Sequence, residues 1–214
     1  MIDLKLCGLR EPDHVDAAIA AGATHIGLVR FVPSPRHVAL DGAAALAERA
    51  RGRVGIVVVT VDADDEAVDA ILDRIRPDML QLHGKERPER AAELRARVPV
   101  MKAIAVRELD DLARAADYER SIDALLLDAK APKGSVLPGG NGVGFDWAIL
   151  HGFRPAVPWF LSGGLGADNV VEAAGTGADG LDLSSGIETA PGVKSAERIA
   201  AVGSALRGLG GAAA

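Results

Sequence analysis

Short apolar runs alternate with longer alanine-rich stretches along this chain, and no other feature constrains its fold as strongly. The apolar runs are rich in valine, isoleucine and leucine, as in residues 54–59, whereas the longer stretches carry charges at helical spacing. Runs with no polar alternation indicate strands that are covered on both faces, which is typical of parallel sheets. The predicted strands begin near Asp3, His25, Val54, Met79, Val100, Ala124, Trp159 and Gly180.

Helical patterns fill the segments between these strands, so the chain reads as a strand and a helix repeated eight times. A closed barrel suits eight such units better than an open sheet, which usually has fewer strands. We therefore predict an α/β protein with a single (β/α)8 TIM barrel in residues 1–207 and a flexible tail in 208–214. The predicted helices are Glu11–Ala21, Ala43–Arg51, Asp65–Arg74, Glu86–Arg97, Glu108–Tyr118 and Ala167–Thr176.

Composition narrows the class of partner. The 214-residue chain has a net charge of −6, with acidic and basic residues interspersed, so it lacks the basic surface expected of a nucleic-acid-binding protein. It has one cysteine and no apolar stretch long enough for a membrane span, and we expect a cytoplasmic protein that acts on a small molecule. Monomer and homodimer both remain open.

Polar residues stand where the apolar runs end, which in a barrel of this kind is the face that carries the chemistry. Cys7 ends the first run and Asp128 ends the sixth, while His83 and Asp182 follow the fourth and eighth. A thiol and a carboxylate at one mouth suit a reaction in which one group donates a proton and the other removes one. An isomerisation fits this pair.

The last two strand ends carry a phosphate-binding pattern. Gly163 and Gly164 would let backbone N–H groups approach an anion closely, and Ser184, Ser185 and Gly186 could open a helix whose dipole favours negative charge. Loops 7 and 8 form the usual phosphate site of this fold. The two patterns together predict a phosphosugar substrate.

Several sequence blocks resemble the phosphoribosylanthranilate isomerase family of tryptophan biosynthesis, from Lys5 to about Ala200. The blocks are Lys5-Leu6-Cys7-Gly8, Ser34-Pro35-Arg36, Gln81-Leu82-His83-Gly84, Leu127-Asp128, Gly139-Gly140-Asn141-Gly142 before Phe145-Asp146-Trp147, Ser162-Gly163-Gly164-Leu165, and Asp182-Leu183-Ser184-Ser185-Gly186-Ile187-Glu188 with Pro191-Gly192-Val193-Lys194.

The resemblance implies an Amadori rearrangement that needs no metal and no organic cofactor. It makes Asp128 the general acid that opens the furanose ring and Cys7 the general base that removes the C2′ proton. For that task, nearby positive charge, from Lys5 or from the substrate iminium, would have to lower the pKa of the thiol. Arg36 would hold the anthranilate carboxylate through two parallel hydrogen bonds, with His83 and Asp182 in positioning roles.

Each of these residues also has an ordinary interpretation. Cys7 could be a buried structural thiol, Asp128 the N-cap of a short helix, Arg36 a solvated loop residue and His83 a core histidine bonded to a backbone carbonyl. The segment 139–145 departs from the family pattern, because a positive charge and a hydroxyl are missing from it. Two alternatives therefore stay open, namely another phosphosugar barrel enzyme and a catalytically silent paralogue.

Overall fold

Eight parallel strands close into a barrel in which each strand pairs with the next along the chain and β8 pairs with β1. The predicted fold class is confirmed, and seven strands begin at the predicted residue, while the third begins one residue later. The strands are β1 Asp3–Cys7, β2 His25–Val29, β3 Gly55–Thr60, β4 Met79–Leu82, β5 Val100–Val106, β6 Ala124–Ala129, β7 Trp159–Leu161 and β8 Gly180–Leu183. The computed structural model describes residues 2–131, 134–135, 137, 139–140, 142 and 144–211.

Burial on both faces explains why the strands read as continuous apolar runs. Side chains that point outward pack against the helices in one large core, to which Ile56 and Val58 of β3 belong. Side chains that point inward fill the barrel with a smaller cluster that includes Met101, Leu126 and Phe160. The barrel is therefore a packed interior with no central channel in that layer, and its polar side chains collect at the strand ends.

Six α-helices cover the outside of the barrel among the described residues. Pro12 and Pro88 each stand at a first helical position, where a missing N–H costs nothing, and the Asp64 carboxylate accepts a hydrogen bond from the Ala67 N–H at 2.9 Å. The helices are α1 Pro12–Ala20, α2 Leu40–Ala50, α3 Asp65–Arg74, α4 Pro88–Arg95, α5 Val170–Ala174 and α6 Ala196–Gly211.

The fifth and sixth units depart from the predicted repeat, because each carries a 3₁₀-helix in place of an α-helix. These are Leu109–Ala115, where the sequence predicts an α-helix over Glu108–Tyr118, and Trp147–Leu150. In the first of them and the turn that follows it, the buried apolar residues Leu112, Ala115 and Tyr118 recur every third position. That spacing matches the three residues per turn of a 3₁₀-helix and keeps all three side chains on the barrel.

A short hairpin follows β8 and is absent from the predicted repeat. It begins after the 3₁₀ turn Ser185–Ile187 and consists of β9 Glu188–Ala190 and the antiparallel β10 Val193–Lys194. The last helix, α6, then runs to Gly211, so residues 208–211 of the predicted tail are helical and residues 212–214 lie outside the described part of the chain. No helix within the described ranges has the length and apolar character needed to cross a bilayer.

Candidate active site

One cavity opens at the C-terminal ends of the strands, and most of the residues predicted for the site line it. Cys7, Arg36, His83, Asp128 and Asp182 all contribute to its wall. They come from strand ends far apart in the chain, which the closed barrel brings together. The other lining residues are Val29, Phe31, Ser34, Val59, Val61, Gln81, Ala129, Leu137, Gly139, Gly140, Gly142, Ser162, Gly163, Gly164, Leu165, Ser184 and Ser185.

Cys7 is the last residue of β1 and has a polar and an apolar side. Two residues before it on the same face, Lys5 is completely buried and donates a 2.7 Å hydrogen bond from Nζ to Oδ1 of Asp182. On the other side the thiol packs with Val29, Val59 and Phe31. The thiol therefore lies between a buried ion pair and an apolar wall.

The neighbouring strand leaves room for this thiol. A Cβ atom at Gly27 of β2 would lie 2.6 Å from the Cys7 Sγ, so only glycine fits beside it in this arrangement. Burial raises the pKa of the Cys7 thiol above its ordinary value, although the charges of Lys5 and Lys194 act in the opposite direction. Burial, the largest influence on the thiol, thus acts against the lowering of the pKa that a base at this position needs.

Asp128 lies inside β6 and joins a chain of three polar side chains. Its Oδ2 is 3.2 Å from Nε2 of His83, whose Nδ1 is 2.9 Å from Nε2 of Gln81. Asp128 is a strand residue that caps no helix in the described part of the chain, and the His83 ring contacts two side chains, so neither residue has the ordinary role considered above. The carboxylate is buried yet borders the cavity.

Arg36 is buried against a carboxylate of the protein itself. Its Nε and Nη2 donate to Oε1 and Oε2 of Glu188 at 2.7 and 2.8 Å, and Nη2 also donates to the Gly140 carbonyl at 3.1 Å. Lys194 Nζ donates to the same Glu188 Oε1 at 2.7 Å and to the Ser184 carbonyl at 2.9 Å. Two cations therefore share one buried anion at the β9–β10 hairpin.

The charges of this trio are mutually supporting. Burial opposes the charged form of Glu188, but the hydrogen bonds and charges of Arg36 and Lys194 outweigh it and hold the pKa of Glu188 below its ordinary value. For Arg36 burial again acts against the charge, and Glu188 reverses this and raises the pKa of the guanidinium. Burial dominates at Lys194 and lowers its pKa.

The predicted phosphate loops meet at one side of the cavity. Gly163 and Gly164 have φ values of +97° and +66°, a region that favours glycine, and both line the cavity with Ser184 and Ser185. Gly186 does not line it. A side chain at Gly186 would overlap the Leu165 carbonyl, so this glycine allows loops 7 and 8 to pack together.

Two glycines of the segment after β6 lie directly over the polar groups. A Cβ atom at Gly139 would overlap Oδ2 of Asp128, and one at Gly140 would overlap Nη1 of Arg36. The glycines thus permit a close approach of the backbone to both side chains. Asn141 and Val143, where this segment departs from the family pattern, lie outside the described residues.

Three polar residues of the site were assigned no role by the sequence analysis. Gln81 is two residues before His83, whereas Glu188 and Lys194 belong to the hairpin after β8. Gln81 could have been found, because a polar side chain inside an apolar strand indicates a specific partner. Among the described residues, no group of three histidine, cysteine, aspartate or glutamate side chains is arranged to hold a metal ion.

The comparison with protein families gives one match that spans most of the chain. The model described as N-(5′-phosphoribosyl)anthranilate (PRA) isomerase matches residues 4–205. A curated relative from Brucella canis, N-(5′-phosphoribosyl)anthranilate isomerase, is 55% identical over 196 residues, which is 90% of this chain and 88% of the relative.

Solved structures show the same similarity in three dimensions. The phosphoribosyl anthranilate isomerase of Thermus thermophilus superposes with a TM-score of 0.87 at 32% identity, covering 97% of this chain and 100% of that one. A second phosphoribosyl anthranilate isomerase, in complex with reduced 1-(o-carboxyphenylamino)-1-deoxyribulose 5-phosphate, superposes with a TM-score of 0.85 at 27% identity and the same coverage.

Proposed function

The chain belongs to the N-(5′-phosphoribosyl)anthranilate isomerase family of tryptophan biosynthesis, and we propose how the residues of its cavity carry out the reaction. The substrate N-(5′-phosphoribosyl)anthranilate becomes 1-(2-carboxyphenylamino)-1-deoxyribulose 5-phosphate by an Amadori rearrangement. The observation that carries the assignment of roles is that Cys7, Asp128 and Arg36 line one cavity together with the glycines of loop 7.

Asp128 is the general acid of the first step. Its protonated carboxyl group gives a proton to the furanose ring oxygen, the bond from that oxygen to C1′ breaks, and the nitrogen lone pair forms the Schiff base. Asp128 is left as a carboxylate, which His83 Nε2 faces at 3.2 Å. A hydrogen bond from His83 would stabilise the charge that develops there.

Cys7 is the general base of the second step. It removes the proton from C2′, and the resulting enolamine tautomerises to the aminoketose product. Burial keeps the thiol protonated in the free protein, since it raises the pKa of Cys7, but Lys5 and Lys194 already favour the thiolate. The positive charge of the protonated Schiff base adds to theirs, so the thiol releases its proton to the solvent once the ring has opened, and the resulting thiolate is the base.

Arg36 and the apolar wall bind the anthranilate group. Val29, Phe31 and Val59 beside Cys7 offer an apolar surface for the aromatic ring. Nη1 of Arg36 donates to no residue of the described chain. One N–H group of Nη2 donates to the Gly140 carbonyl, which lies where the second oxygen of a substrate carboxylate would bind. Displacement of this carbonyl by the substrate would free the end of the guanidinium for two parallel hydrogen bonds.

The phosphate binds at loops 7 and 8. The left-handed backbone at Gly163 and Gly164 supports this assignment, as do the hydroxyl groups of Ser184 and Ser185 on the same side of the cavity. Asp182 supports the site indirectly, because its Oδ1 accepts the hydrogen bond of Lys5 beside Cys7. We further propose that the protein acts in the cytoplasm on this small molecule, as a monomer or a homodimer.

A turnover assay tests these roles. Phosphoribosylanthranilate is generated in situ, purified protein is added, and the decay of its fluorescence is compared between wild type, Cys7→Ser and Asp128→Asn. We expect fast decay with wild type and a loss of about 10²-fold or more in each variant, as is typical for general acids and bases. Circular dichroism checks that the variants are folded, and undiminished turnover in both would contradict the proposed roles.

A further inference from the structure

We propose that Gln81 is a positioning residue that fixes the tautomer of His83, so that the His83 Nε2 carries the proton and donates a hydrogen bond to Asp128. The inference rests on the proposed function, in which Asp128 is the general acid. It adds a residue that touches neither the acid nor the base directly.

The three side chains form a linear chain of contacts. Gln81 is buried and on the inward face of β4, with its Nε2 2.9 Å from the His83 Nδ1. The His83 Nε2 is 3.2 Å from the Asp128 Oδ2. Both histidine nitrogens are thus engaged, each by one side chain of different chemistry.

The amide decides which histidine nitrogen is protonated. An amide nitrogen only donates, so Nδ1 of His83 must accept, and a neutral imidazole then carries its single proton on Nε2. The doubly protonated ring would set two donors against each other at Gln81. The arrangement therefore directs the Nε2–H group of His83 at Asp128.

This tautomer matters when Asp128 gives up its proton. The proton goes to the ring oxygen of the sugar, and the electron pair stays on the Asp128 carboxylate, while His83 and Gln81 keep all their protons. An N–H group facing the new carboxylate stabilises it, whereas the other tautomer would present a lone pair to it. The hydrogen bond is stronger to the carboxylate than to the neutral acid, so it lowers the barrier of this step.

The second amide atom of Gln81 links the tautomer to substrate binding. Its Oε1 is buried and has no hydrogen-bond partner among the residues that the structure describes, although the side chain borders the cavity. Rotating the amide by half a turn would direct Oε1 at Nδ1 and require the opposite tautomer. A substrate hydroxyl that donates to Oε1 would hold the amide in the first orientation.

Nitrogen NMR reads the tautomer directly. Protein with ¹⁵N-labelled histidine is compared as wild type, Gln81→Glu and Gln81→Met, free and with the reduced product analogue as probe. The His83 signals are assigned by their absence in His83→Asn. We expect wild type to be protonated at Nε2 alone, and Gln81→Glu to be protonated at Nδ1, because its carboxylate accepts from that nitrogen.

Kinetics of the same variants separate positioning from packing. In Gln81→Glu we expect kcat to fall at least about tenfold with little change in KM, as a part of the 10²–10⁴-fold contribution of general acid catalysis. In Gln81→Met the isosteric side chain neither donates nor accepts a strong hydrogen bond, so KM should rise as well. Thermal unfolding of both variants checks that the fold is retained.

The outcomes distinguish this inference from the proposed function. Protonation of wild-type His83 at Nδ1, or a Gln81→Glu variant with both tautomer and kcat unchanged, would overturn the role of Gln81 even in an active isomerase. An unfolded Gln81→Glu variant would leave the wild-type spectrum and Gln81→Met to decide. A wild-type protein that does not turn over phosphoribosylanthranilate would instead contradict the proposed function, whatever the tautomer.

Discussion

Arg36 and Glu188 form a buried bidentate ion pair, with N···O distances of 2.7 and 2.8 Å, although 152 positions separate them in the chain. The family resemblance implies that the guanidinium of Arg36 binds the substrate carboxylate through two parallel hydrogen bonds. In the structure one edge of the guanidinium is already held by Glu188, which orients the remaining Nη1. Specificity for an anthranilate would thus depend in part on Glu188, which orients Arg36 but does not itself line the cavity.

Replacement of Arg36 by lysine should weaken substrate binding strongly. Lysine keeps the charge but cannot bond Glu188 and a carboxylate in parallel, and a lost charge-assisted hydrogen bond of about 1.5–3 kcal/mol corresponds to a KM increase of about ten- to a hundredfold. Steady-state kinetics measure this, with Arg30→Lys as the control, because Arg30 does not line the cavity. An unchanged KM in a folded Arg36→Lys variant would show that Arg36 does not bind the substrate.

Glu188→Gln should lower stability in a pH-dependent manner. The folded-state pKa of Glu188 lies below its unfolded value, so its contribution is present above the unfolded value and is lost as pH falls through the folded one. At pH 7 the variant leaves two buried cations without their anion, at a cost of about 3–5 kcal/mol in the free energy of unfolding.

Denaturant unfolding between acidic and neutral pH checks this expectation. The difference between wild type and Glu188→Gln should shrink as the pH falls. Glu66→Gln is the matched control, since Glu66 is exposed and has no ion pair within the described chain. A difference of the same size at every pH would show that Glu188 stabilises the fold by packing alone.

The pH dependence of turnover should report the environment of Cys7. Because burial raises its pKa, kcat/KM should increase with pH up to a value above the ordinary titration range of a thiol. Lys5→Met removes a charge that lowers this pKa and leaves Asp182 unpaired, so the rising limb should move to still higher pH.

Lys102→Met is the control for this shift. Lys102 is as buried as Lys5 and is paired with Glu86 at 2.8 Å. Its loss should therefore reduce the free energy of unfolding without shifting the rising limb of the kcat/KM profile along the pH axis. Profiles of kcat/KM across neutral and alkaline pH give the position of the rising limb in both variants. If the rising limb of the kcat/KM profile lay at the same pH in Lys5→Met as in wild type, Lys5 would have no electrostatic effect on the reacting thiol.

The barrel was predictable because strands buried on both faces leave a plain apolar signal, as in β3. Cys7 and Asp128 were predictable for the opposite reason, as polar residues placed where such runs end. The pair of Arg36 with Glu188 was not, since its partners come from distant loops and only the closed barrel brings them together. Leu109–Ala115 was misread because three- and four-residue spacings overlap in a short segment.

Gly139→Ala should lower activity through direct overlap with the acid. The added Cβ would overlap Asp128 and lie 2.5 Å from the His83 Nε2, so either the loop or the two side chains must move. A displacement of about 1 Å at the reacting groups can cost about a hundredfold in rate.

Gly144→Ala is the matched control in the same segment, because its Cβ would make an ordinary 3.7 Å contact with the Gly163 carbonyl. We expect kcat/KM to fall in Gly139→Ala and to stay near wild type in Gly144→Ala, with similar unfolding temperatures. Equal activity of the two variants would mean that residue 139 does not lie against Asp128 during turnover.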